Sequence, residues 1–334
     1  MSQPRASFKP SPILGYFCIG GAALCWGISA TMGRAVFLGR LHLFGAAVAP
    51  VQPLMLAQSR TTLAALVLFP ALWLTRGRHG VRMQPRDIRD CAILGILGIA
   101  ASNYLYYLAI QRTNVATAII LQYLAPVFVL LWMLWRKLQP PTVSRIGGVL
   151  VAVLGCVLAI GIVSRSPHFP GLAIIPGQMR FDLVGVLAAL LAAVSFAFYN
   201  VFGHRLVAAH DRWTVIAWAL AGAALAWLFV NPPWRVAAAH YSRPQWAFMA
   251  LFSFTSILVP FSLYFTGLHH LDATRAIVTS CLEPVFSILI AALALGEWVG
   301  KIQMVGILLV LASTILVQLE TQSEGSAPPF ESME

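Results

Sequence analysis

One carboxylate stands inside a long apolar stretch of the sequence. Of the 11 acidic residues, ten lie in the C-terminal tail, in polar stretches or at the ends of apolar segments. Glu283 lies about ten residues into such a segment, near the midplane of a membrane that the segment would cross as a helix. An ionisable group at that depth is costly and points to function. Glu283 could bind a proton or a substrate amine, or it could be a buried carboxyl that only hydrogen-bonds to neighbouring helices.

Arg60 is the second candidate. The apolar run from Thr61 to Thr75 is too short to cross a membrane alone, since a crossing helix needs roughly 20 residues. The helix is therefore predicted to begin earlier and to enclose Arg60. Its guanidinium could pair with a substrate carboxylate or with an acidic side chain. The alternative is a long cation near a helix end that extends its charge to the lipid headgroups.

Eight polar or aromatic residues within the apolar segments could line a substrate cavity. Three of them have the i, i+3, i+4 spacing that places side chains on one face of a helix. Each of the eight could instead pack between helices, or anchor at a membrane surface as Trp and Tyr do at the ends of spans. The predicted set is Trp26, Asn103, Tyr106, Tyr107, Gln122, Tyr199, Asn200 and Tyr264.

Two prolines, Pro126 and Pro284, also stand within apolar segments. Proline removes a backbone hydrogen bond and frees a carbonyl one turn earlier, so both are predicted to kink their helices. Such breaks are tolerated in a membrane where a cavity or a neighbouring helix satisfies the freed group. Kinked helices suit a rocking mechanism, whereas helix packing alone is the other interpretation.

Other kinds of chemistry find no support in the sequence. It has no P-loop, H-E-x-x-H or G-x-S-x-G motif, so it predicts no catalytic residue and no ATP-driven step. None of the five cysteines is paired at C-x-x-C spacing, and the adjacent His269 and His270 have no metal-ligand companions, so neither a metal site nor a cofactor is predicted. The net charge of +11 comes from basic residues between apolar blocks, which does not predict nucleic-acid binding.

The elements that position these residues follow from the apolar blocks. With 59% hydrophobic and only 10% charged residues, the chain does not have the composition of a soluble domain. Ten segments are long enough to cross a bilayer as helices, and none shows the alternation of a membrane β-strand. The sequence predicts an all-α integral membrane protein whose ten transmembrane helices are Ile13–Gly33, Gln52–Trp73, Cys91–Gln111, Asn114–Trp135, Val143–Ile162, Leu183–Phe202, Trp213–Val230, Gln245–Leu268, Ala273–Leu295 and Ile302–Leu319.

The basic residues predict how these helices are oriented. Lys and Arg concentrate in the cytoplasmic loops of membrane proteins. In the first half, ten of them lie before the first span or after the second and fourth, against four on the opposite side, whereas the second half has a weak opposite bias. We therefore predict a multi-pass protein of the cytoplasmic (inner) membrane with both termini in the cytoplasm. The first apolar run is too long for a signal peptide and is predicted to be an uncleaved span.

The two halves of the chain are related in sequence. Matching positions lie 158 residues apart over most of the chain and 170 apart near its start: Leu124–Phe128 with Leu282–Phe286, Tyr106 with Tyr264, Gly148 with Gly306, Gly15 with Gly185, and Gly33 with Gly203. Because each half has an odd number of spans, the second enters the membrane from the opposite side. Inverted repeats of this kind are typical of transporters, with substrate bound near the midplane at their interface.

The duplication predicts how the chain is divided. Two inverted five-helix repeats, residues 13–162 and 181–319, are joined by a Pro-rich linker over 163–180. Residues 1–12 form a cytoplasmic N-terminus. The polar tail over 320–334 is predicted to be disordered.

These residues resemble a known family. Trp26–Gly27, Glu283–Phe286, Gly296–Glu297 and Gly306 occur in the order and spacing of a ten-helix EamA-type member of the drug/metabolite transporter superfamily. The resemblance covers residues 13–320. It implies a central cavity lined by both halves, and the efflux of amino acids or other small metabolites.

The first repeat departs from the family pattern. Ala125 and Gln139 stand at the positions that match Glu283 and Glu297. Any role of these carboxylates therefore belongs to the second half alone.

The sequence thus predicts a secondary transporter, an exporter of small metabolites such as amino acids that works by alternating access, and not an enzyme. Its partners are a small-molecule substrate and the lipid bilayer. Proton coupling through Glu283 and facilitated diffusion both fit. The alternatives are a membrane-embedded enzyme, which would need clustered His, Asp or Glu near one membrane face, and a non-transporting lipid-handling or scaffold protein. The cargo and the oligomeric state stay open.

Overall fold

The structure is a computed structural model that describes residues 11–43, 45–137, 143–159, 163–165, 172–174, 182–268, 270–271 and 279–325. Most of these residues are helical. The α-helices are α1 (Pro12–Phe37), α2 (Pro53–Arg76), α3 (Pro85–Ile93), α4 (Ala101–Arg112), α5 (Val115–Gln122), α6 (Ala125–Trp135), α7 (Val143–Ala159), α8 (Leu183–Ala209), α9 (Arg212–Val230), α10 (Pro233–Ala238), α11 (Arg243–Ser253), α12 (Val259–Leu268), α13 (Leu282–Leu295) and α14 (Lys301–Gly325).

Several neighbouring helices join into longer ones. The π-helical segment Leu94–Ala100 connects α3 to α4, and the π-helical segment Phe254–Leu258 connects α11 to α12. Helices α5 and α6 are separated by Tyr123 and Leu124 alone. A π-helical turn holds an extra residue and occurs often at functional sites, so both connections place irregular backbone inside an apolar helix.

The described residues contain seven helices that are long and apolar enough to cross a membrane. Three shorter apolar helices, Ile146–Ala159, Leu282–Leu295 and Lys301–Ser313, overlap the fifth, ninth and tenth predicted spans. The chain is therefore a multi-pass, all-α membrane protein, as predicted. The count of ten helices stays a prediction.

Two short antiparallel hairpins are the only strands among the described residues. Strand β1 (His42–Leu43) pairs with β2 (Ala46–Ala47) after α1, and β3 (Val163–Arg165) pairs with β4 (Leu172–Ile174). The second hairpin lies in the predicted Pro-rich linker, for which the sequence analysis predicted no strands.

Proline and a short polar residue fix where the helices begin. Pro12, Pro53 and Pro85 each stand at the first position of a helix, where the missing N–H costs no hydrogen bond. Before α5, the side chain of Asn114 accepts a hydrogen bond from the Thr117 N–H at 2.8 Å. The cap permits the tight antiparallel connection between α4 and α5 that the sequence predicts.

Helices from the two halves of the chain pack against each other. Helix α1 packs on α12 and α13, whereas α8 packs on α4, α5 and α6. Helices α2 and α9 form a third contact, and α7 and α14 a fourth. Where α7 meets α14, a Cβ atom on Gly306 would lie 2.4 Å from the Ala159 nitrogen, so only glycine permits this approach.

Large apolar side chains cover the outside of the bundle. Leu74, Trp135 and Phe229 are 85%, 76% and 87% exposed. A soluble protein rarely exposes so many large apolar side chains. In a bilayer these side chains face lipid, which leaves the polar groups of the interior as the candidates for function.

The last helix is longer than predicted. Helix α14 continues to Gly325, six residues past the predicted end at Leu319, so the start of the predicted disordered tail is helical. Glu and Gln alternate with other residues between 318 and 324, and both are good helix formers that need no apolar partner. Residues 326–334, also predicted to be disordered, lie outside the described part of the chain.

Candidate functional site

Arg60 lies in α2 and is buried, with 9% of its surface exposed. Its Nη1 donates to Asn103 Oδ1 at 2.6 Å and to Tyr107 Oη at 2.7 Å, and its Nη2 donates to the Ser256 carbonyl at 2.7 Å. Its guanidinium carbon also lies 5.7 Å from the centre of the Tyr107 ring. The interpretation of Arg60 as a cation that reaches the headgroups is wrong, because these bonds hold its charge inside the bundle.

The fold explains why Arg60 has these partners. Asn103 and Tyr107 are one turn apart on α4, as their spacing predicts, and both face α2. Ser256 belongs to the π-helical segment that precedes α12. Its carbonyl, on this third helix, accepts a hydrogen bond from the Arg60 guanidinium. Arg60 therefore joins two helices of the first half to one of the second.

Glu283 lies in the first turn of α13. Its Oε2 accepts a hydrogen bond from Tyr123 Oη at 3.0 Å, and Tyr123 Oη lies 3.3 Å from the Ser280 carbonyl. Tyr123 occupies the break between α5 and α6, so the irregular backbone of one helix turns its side chain toward the start of another. A helix N-terminus also favours a negative charge.

Tyr123 is not among the residues predicted from the sequence. A tyrosine within an apolar segment is common, and its hydrogen bond to Glu283 depends on the helix break. The available signal was its position three residues before Pro126, where a broken helix was predicted.

Arg60 and Glu283 lie near the same two tyrosines, Tyr106 and Tyr107. The two charges lie within electrostatic range of each other and of Tyr106 and Tyr107. In the described structure they form no direct ion pair within 4.0 Å. The interior thus holds two separated ionisable groups of opposite type, a guanidinium and a carboxyl, that do not touch each other.

Some buried polar atoms have no partner in the described part of the chain. An unpaired buried donor or acceptor costs roughly 1–3 kcal/mol unless water or a ligand satisfies it. These atoms are available to bind a polar solute or water, and they are Arg60 Nε, Thr62 Oγ1, Tyr106 Oη, Ser256 Oγ and Ser287 Oγ.

Three further predicted residues form an aromatic group. Trp26 on α1 packs against Tyr264, with ring centres 5.8 Å apart, and against Phe261 at 5.7 Å. Tyr199 stacks on Phe196 at 5.8 Å and lies within electrostatic range of Tyr264. These rings could form an apolar wall of the site.

Two other predicted residues have local roles. Gln122 donates to Ser102 Oγ at 3.3 Å and so joins α5 to α4. Asn200 is exposed on α8 and donates to the carbonyl of Phe196 one turn earlier. The described contacts connect neither side chain to Arg60 or Glu283.

The two prolines stand at helix starts and not within kinked helices. Pro126 and Pro284 lie in the first turns of α6 and α13, and each helix is broken just before it. The breaks place Tyr123 and Glu283 together. No group of three His, Cys, Asp or Glu side chains that could hold a metal ion occurs in the described ranges.

A second polar cluster closes one end of the bundle, here called the Glu297 end. Arg34 Nε lies 2.5 Å from Glu297 Oε1, and these side chains are only 13% and 18% exposed. Arg34 Nη1 donates to the carbonyls of Ile110 and Gln111 at 2.8 and 3.0 Å, and the Val115 N–H donates to Glu297 Oε2 at 3.3 Å. Arg34 is one of the four basic residues counted above on the side opposite the cytoplasm, and Glu297 belongs to the residues that carry the resemblance.

At the opposite end, here called the Asp211 end, the ion pairs are more exposed than that of Arg34 with Glu297. Arg76 Nη1 lies 3.0 Å from Asp211 Oδ2, with side chains 44% and 46% exposed. His210 Nε2 lies 3.2 Å from Asp87 Oδ2. Partial burial acts to raise the pKa of Asp211, but the hydrogen bond from the Thr214 N–H and the charge of Arg76 outweigh it and lower that pKa below its ordinary value.

A multi-pass helical protein that buries separated charges in its interior and carries no catalytic motif has the construction of a membrane transporter. The sequence model of the EamA-like transporter family matches residues 13–161 and 183–319. The chain belongs to this family, which is not a family of enzymes, so the transporter prediction is confirmed.

Individual relatives agree with that assignment. The chain is 24% identical to the uncharacterized inner membrane transporter YicL of Salmonella typhimurium, over 72% of this chain and 77% of YicL. It is 26% identical to the threonine/homoserine exporter RhtA of the same species, over 68% and 71%. It is 25% identical to the uncharacterized transporter sll1319 of Synechocystis sp., over 96% and 88%.

A solved crystal structure has a similar fold. It superposes with a TM-score of 0.54 at 21% identity and covers 94% of this chain and 98% of its own. At that identity the likeness concerns the fold alone.

Proposed function

We propose that this protein is a secondary transporter that exports small metabolites such as amino acids across the cytoplasmic membrane by alternating access. The observation that carries the proposal is the pair of separated interior charges, Arg60 and Glu283, held by helices of both halves. Substrate sites of such transporters lie near the midplane at the interface of the repeats.

We further propose ten transmembrane helices arranged as two inverted five-helix repeats, 13–162 and 181–319. Contacts between α7 and α14 support this. A Cβ on Gly155 would lie 2.8 Å from the Gly306 carbonyl, and Ser313 Oγ donates to the Gly148 carbonyl. With the 158-residue separation, Gly148 matches Gly306 and Gly155 matches Ser313. The contact of Gly155 with Gly306 therefore matches the contact of Ser313 with Gly148, as a two-fold axis between the halves requires.

The ends of other helices show the same reciprocity. A Cβ on Gly15 would lie 2.5 Å from a Leu271 side-chain atom, and one on Gly185 would lie 2.7 Å from a Thr113 side-chain atom. The separations of 170 and 158 residues relate Gly15 to Gly185 and Thr113 to Leu271. This agreement supports a shared architecture of the two halves.

The charges suit a zwitterionic solute. A guanidinium favours a carboxylate and a carboxylate favours an ammonium group. Among the described residues, three partners hold the Nη atoms of Arg60 and leave its Nε unpaired, whereas Glu283 accepts a hydrogen bond from Tyr123. In the same part of the chain, Tyr106 Oη is a further buried polar atom without a partner. The similarity to an exporter of threonine and homoserine supports amino acids as the first solutes to test.

The orientation is proposed from the Lys and Arg of the first half, which favour cytoplasmic termini. The Asp211 end then faces the cytoplasm and the Glu297 end faces outward. An exporter takes up its solute from the cytoplasm, so its outer end must be closed at that stage. The bonds between Arg34 and Glu297 support that arrangement.

Counterflow in proteoliposomes tests the proposal. The purified protein is reconstituted with a panel of labelled amino acids and with sugars as unrelated solutes. We expect counterflow of at least one amino acid and a loss of about tenfold in Glu283→Gln, the size expected for one charge-assisted hydrogen bond to the solute. Thr75→Ala, at the exposed end of α2, is the control. Wild-type counterflow in folded Glu283→Gln would remove Glu283 from the site, and no counterflow of any solute would refute transport.

A further inference from the structure

The Glu297 end is closed by one connected set of polar bonds. Arg34 extends from the last turns of α1, and its partners Ile110 and Gln111 end α4. Glu297 follows α13 and accepts from the Val115 N–H at the start of α5. In addition, Arg40 Nη1 lies 3.3 Å from the Leu295 carbonyl. Four helices from both halves are thus held together at one end.

This cluster lies next to the interior site. A Cβ on Gly33 would lie 3.2 Å from the Tyr107 ring, and Tyr107 hydrogen-bonds to Arg60. Arg34 is the next residue of α1, and Ile110 lies about one turn beyond Tyr107 along α4. The bonds of Arg34 therefore close the bundle immediately outside the residues that surround Arg60.

The matching positions of the repeats do not supply a similar pair. The separations of 170 and 158 residues relate Arg34 to His204 and Glu297 to Gln139. A glutamine carries no charge, so the sequence alone excludes an equivalent carboxylate at the Asp211 end. The side chains of His204 and Gln139 lie outside the described part of the chain. The ion pair is thus a property of one end.

We propose that Arg34 and Glu297 form the gate of the solute path at the Glu297 end, and that their bonds break and reform in each transport cycle. This inference rests on the proposed transport function. A charge-assisted bond with little exposure is strong enough to close the end. The carbonyls of Ile110 and Gln111 orient the guanidinium, which makes the gate specific for arginine.

Thiol labelling tests the gate without any knowledge of the solute. Cys281, a free and buried thiol two residues before Glu283, is kept as the reporter, and Cys18, Cys25, Cys91 and Cys156 are replaced by alanine. A membrane-impermeant methanethiosulfonate reagent is added to one side of the membrane at a time. The labelling rate of Cys281 from the Glu297 end then measures how often that end opens.

We expect slow labelling in the parent protein and a rise of roughly tenfold to a hundredfold in Glu297→Gln and in Arg34→Gln, the range that loss of a hydrogen bond to a charged group gives. Exchanging the charges, Arg34→Glu with Glu297→Arg, should restore little of the protection, because a carboxylate at position 34 would face the carbonyls of Ile110 and Gln111. Asp211→Asn is the matched control, since it breaks an ion pair at the other end. It should leave labelling from the Glu297 end unchanged.

Size-exclusion chromatography selects the folded variants. Should Glu297→Gln misfold, Arg34→Lys keeps the charge but not the guanidinium fork, and a rise of a few-fold in its labelling supports the gate. Parent-like labelling in every folded variant of Arg34 and Glu297 overturns it. Faster labelling in a protein that moves no solute leaves the gate standing and refutes the transport function, so the two failures are distinguishable.

Discussion

Two ion pairs at opposite ends of the helix bundle differ in burial, that of Arg34 with Glu297 and that of Arg76 with Asp211. The Glu297 end also has a more exposed pair, Arg112 with Asp182, whose side chains are 52% and 25% exposed. At the Glu297 end, Arg34 and Glu297 are at most 18% exposed and share their bonds with three backbone groups. At the Asp211 end, Arg76 and Asp211 are more than 40% exposed. Exposed pairs contribute little because water and salt screen them, whereas breaking a buried pair leaves an unpaired charge in a dry place.

The difference in burial determines how firmly each ion pair holds its helices. An ion pair that is both buried and tied to backbone carbonyls fixes one arrangement of four helices. An exposed pair at the end of a helix allows small movements at little cost. Substitutions in these two ion pairs should therefore have unequal effects.

The largest expected effect is that of Glu297→Gln on stability. It leaves Arg34 charged, partly buried and without its counter-ion. Loss of one partner of a fully buried pair costs roughly 3–5 kcal/mol, and the residual exposure of this pair lowers the expectation to about 2–3 kcal/mol. Thermal unfolding in detergent measures the loss. A midpoint equal to that of Asp211→Asn would contradict the comparison.

A second prediction builds the missing pair. His204→Arg together with Gln139→Glu gives the Asp211 end the residue types of Arg34 and Glu297 at the matching positions. We expect solute counterflow to slow by up to about tenfold, because an additional charge-assisted bond would have to break in each cycle. Each single substitution serves as the control. Equal slowing by either one alone would show that pairing is not the cause.

The sequence predicted the interior charges because they are rare where they stand. Glu283 and Arg60 are ionisable groups in apolar segments, and the cost of burying them makes their positions informative. The same reasoning predicted the all-helical membrane fold and, from matched residues, a duplicated chain. The helix breaks before Pro126 and Pro284 were predicted as kinks.

The gate was not predicted because its residues are ordinary in sequence. Arg34 and Glu297 lie at the ends of spans, where charged residues are common, and 263 residues separate them. Only the packing of α1 beside α13 brings them together. Tyr123 was missed for a related reason, since its bond to Glu283 requires the irregular backbone between α5 and α6. Hydrophobic periodicity predicts helices, but it does not predict which distant side chains pair or where a helix is broken.

A third prediction separates charge from geometry at the gate. Arg34→Lys keeps a positive charge opposite Glu297, but one ammonium group cannot reproduce the guanidinium fork toward the carboxylate and the carbonyls of Ile110 and Gln111. We expect a loss of about 1 kcal/mol in thermal unfolding, the value of one hydrogen bond. A loss as large as that in Glu297→Gln would mean that the carbonyl bonds, and not the charge pair, hold this end.

The smallest expected effect is that of Asp211→Asn at the other end. Asparagine caps a helix as well as aspartate does, so the N–H groups of Trp213 and Thr214 keep an acceptor and only the charge facing Arg76 is lost. After discounting for solvent screening, we expect about 0.5 kcal/mol at neutral pH.

The stability difference between wild type and Asp211→Asn should depend on pH, because the pKa of Asp211 is lowered in the folded protein. Because the folded carboxyl holds its proton less tightly than the unfolded one, its contribution is complete above the ordinary value of 3.8 and is lost as the pH falls through the lower folded value. Unfolding midpoints of wild type and Asp211→Asn should therefore differ at pH 7 and converge in acid. High salt should reduce the difference at pH 7 while leaving the cost of Glu297→Gln nearly intact, because only the exposed pair is screened.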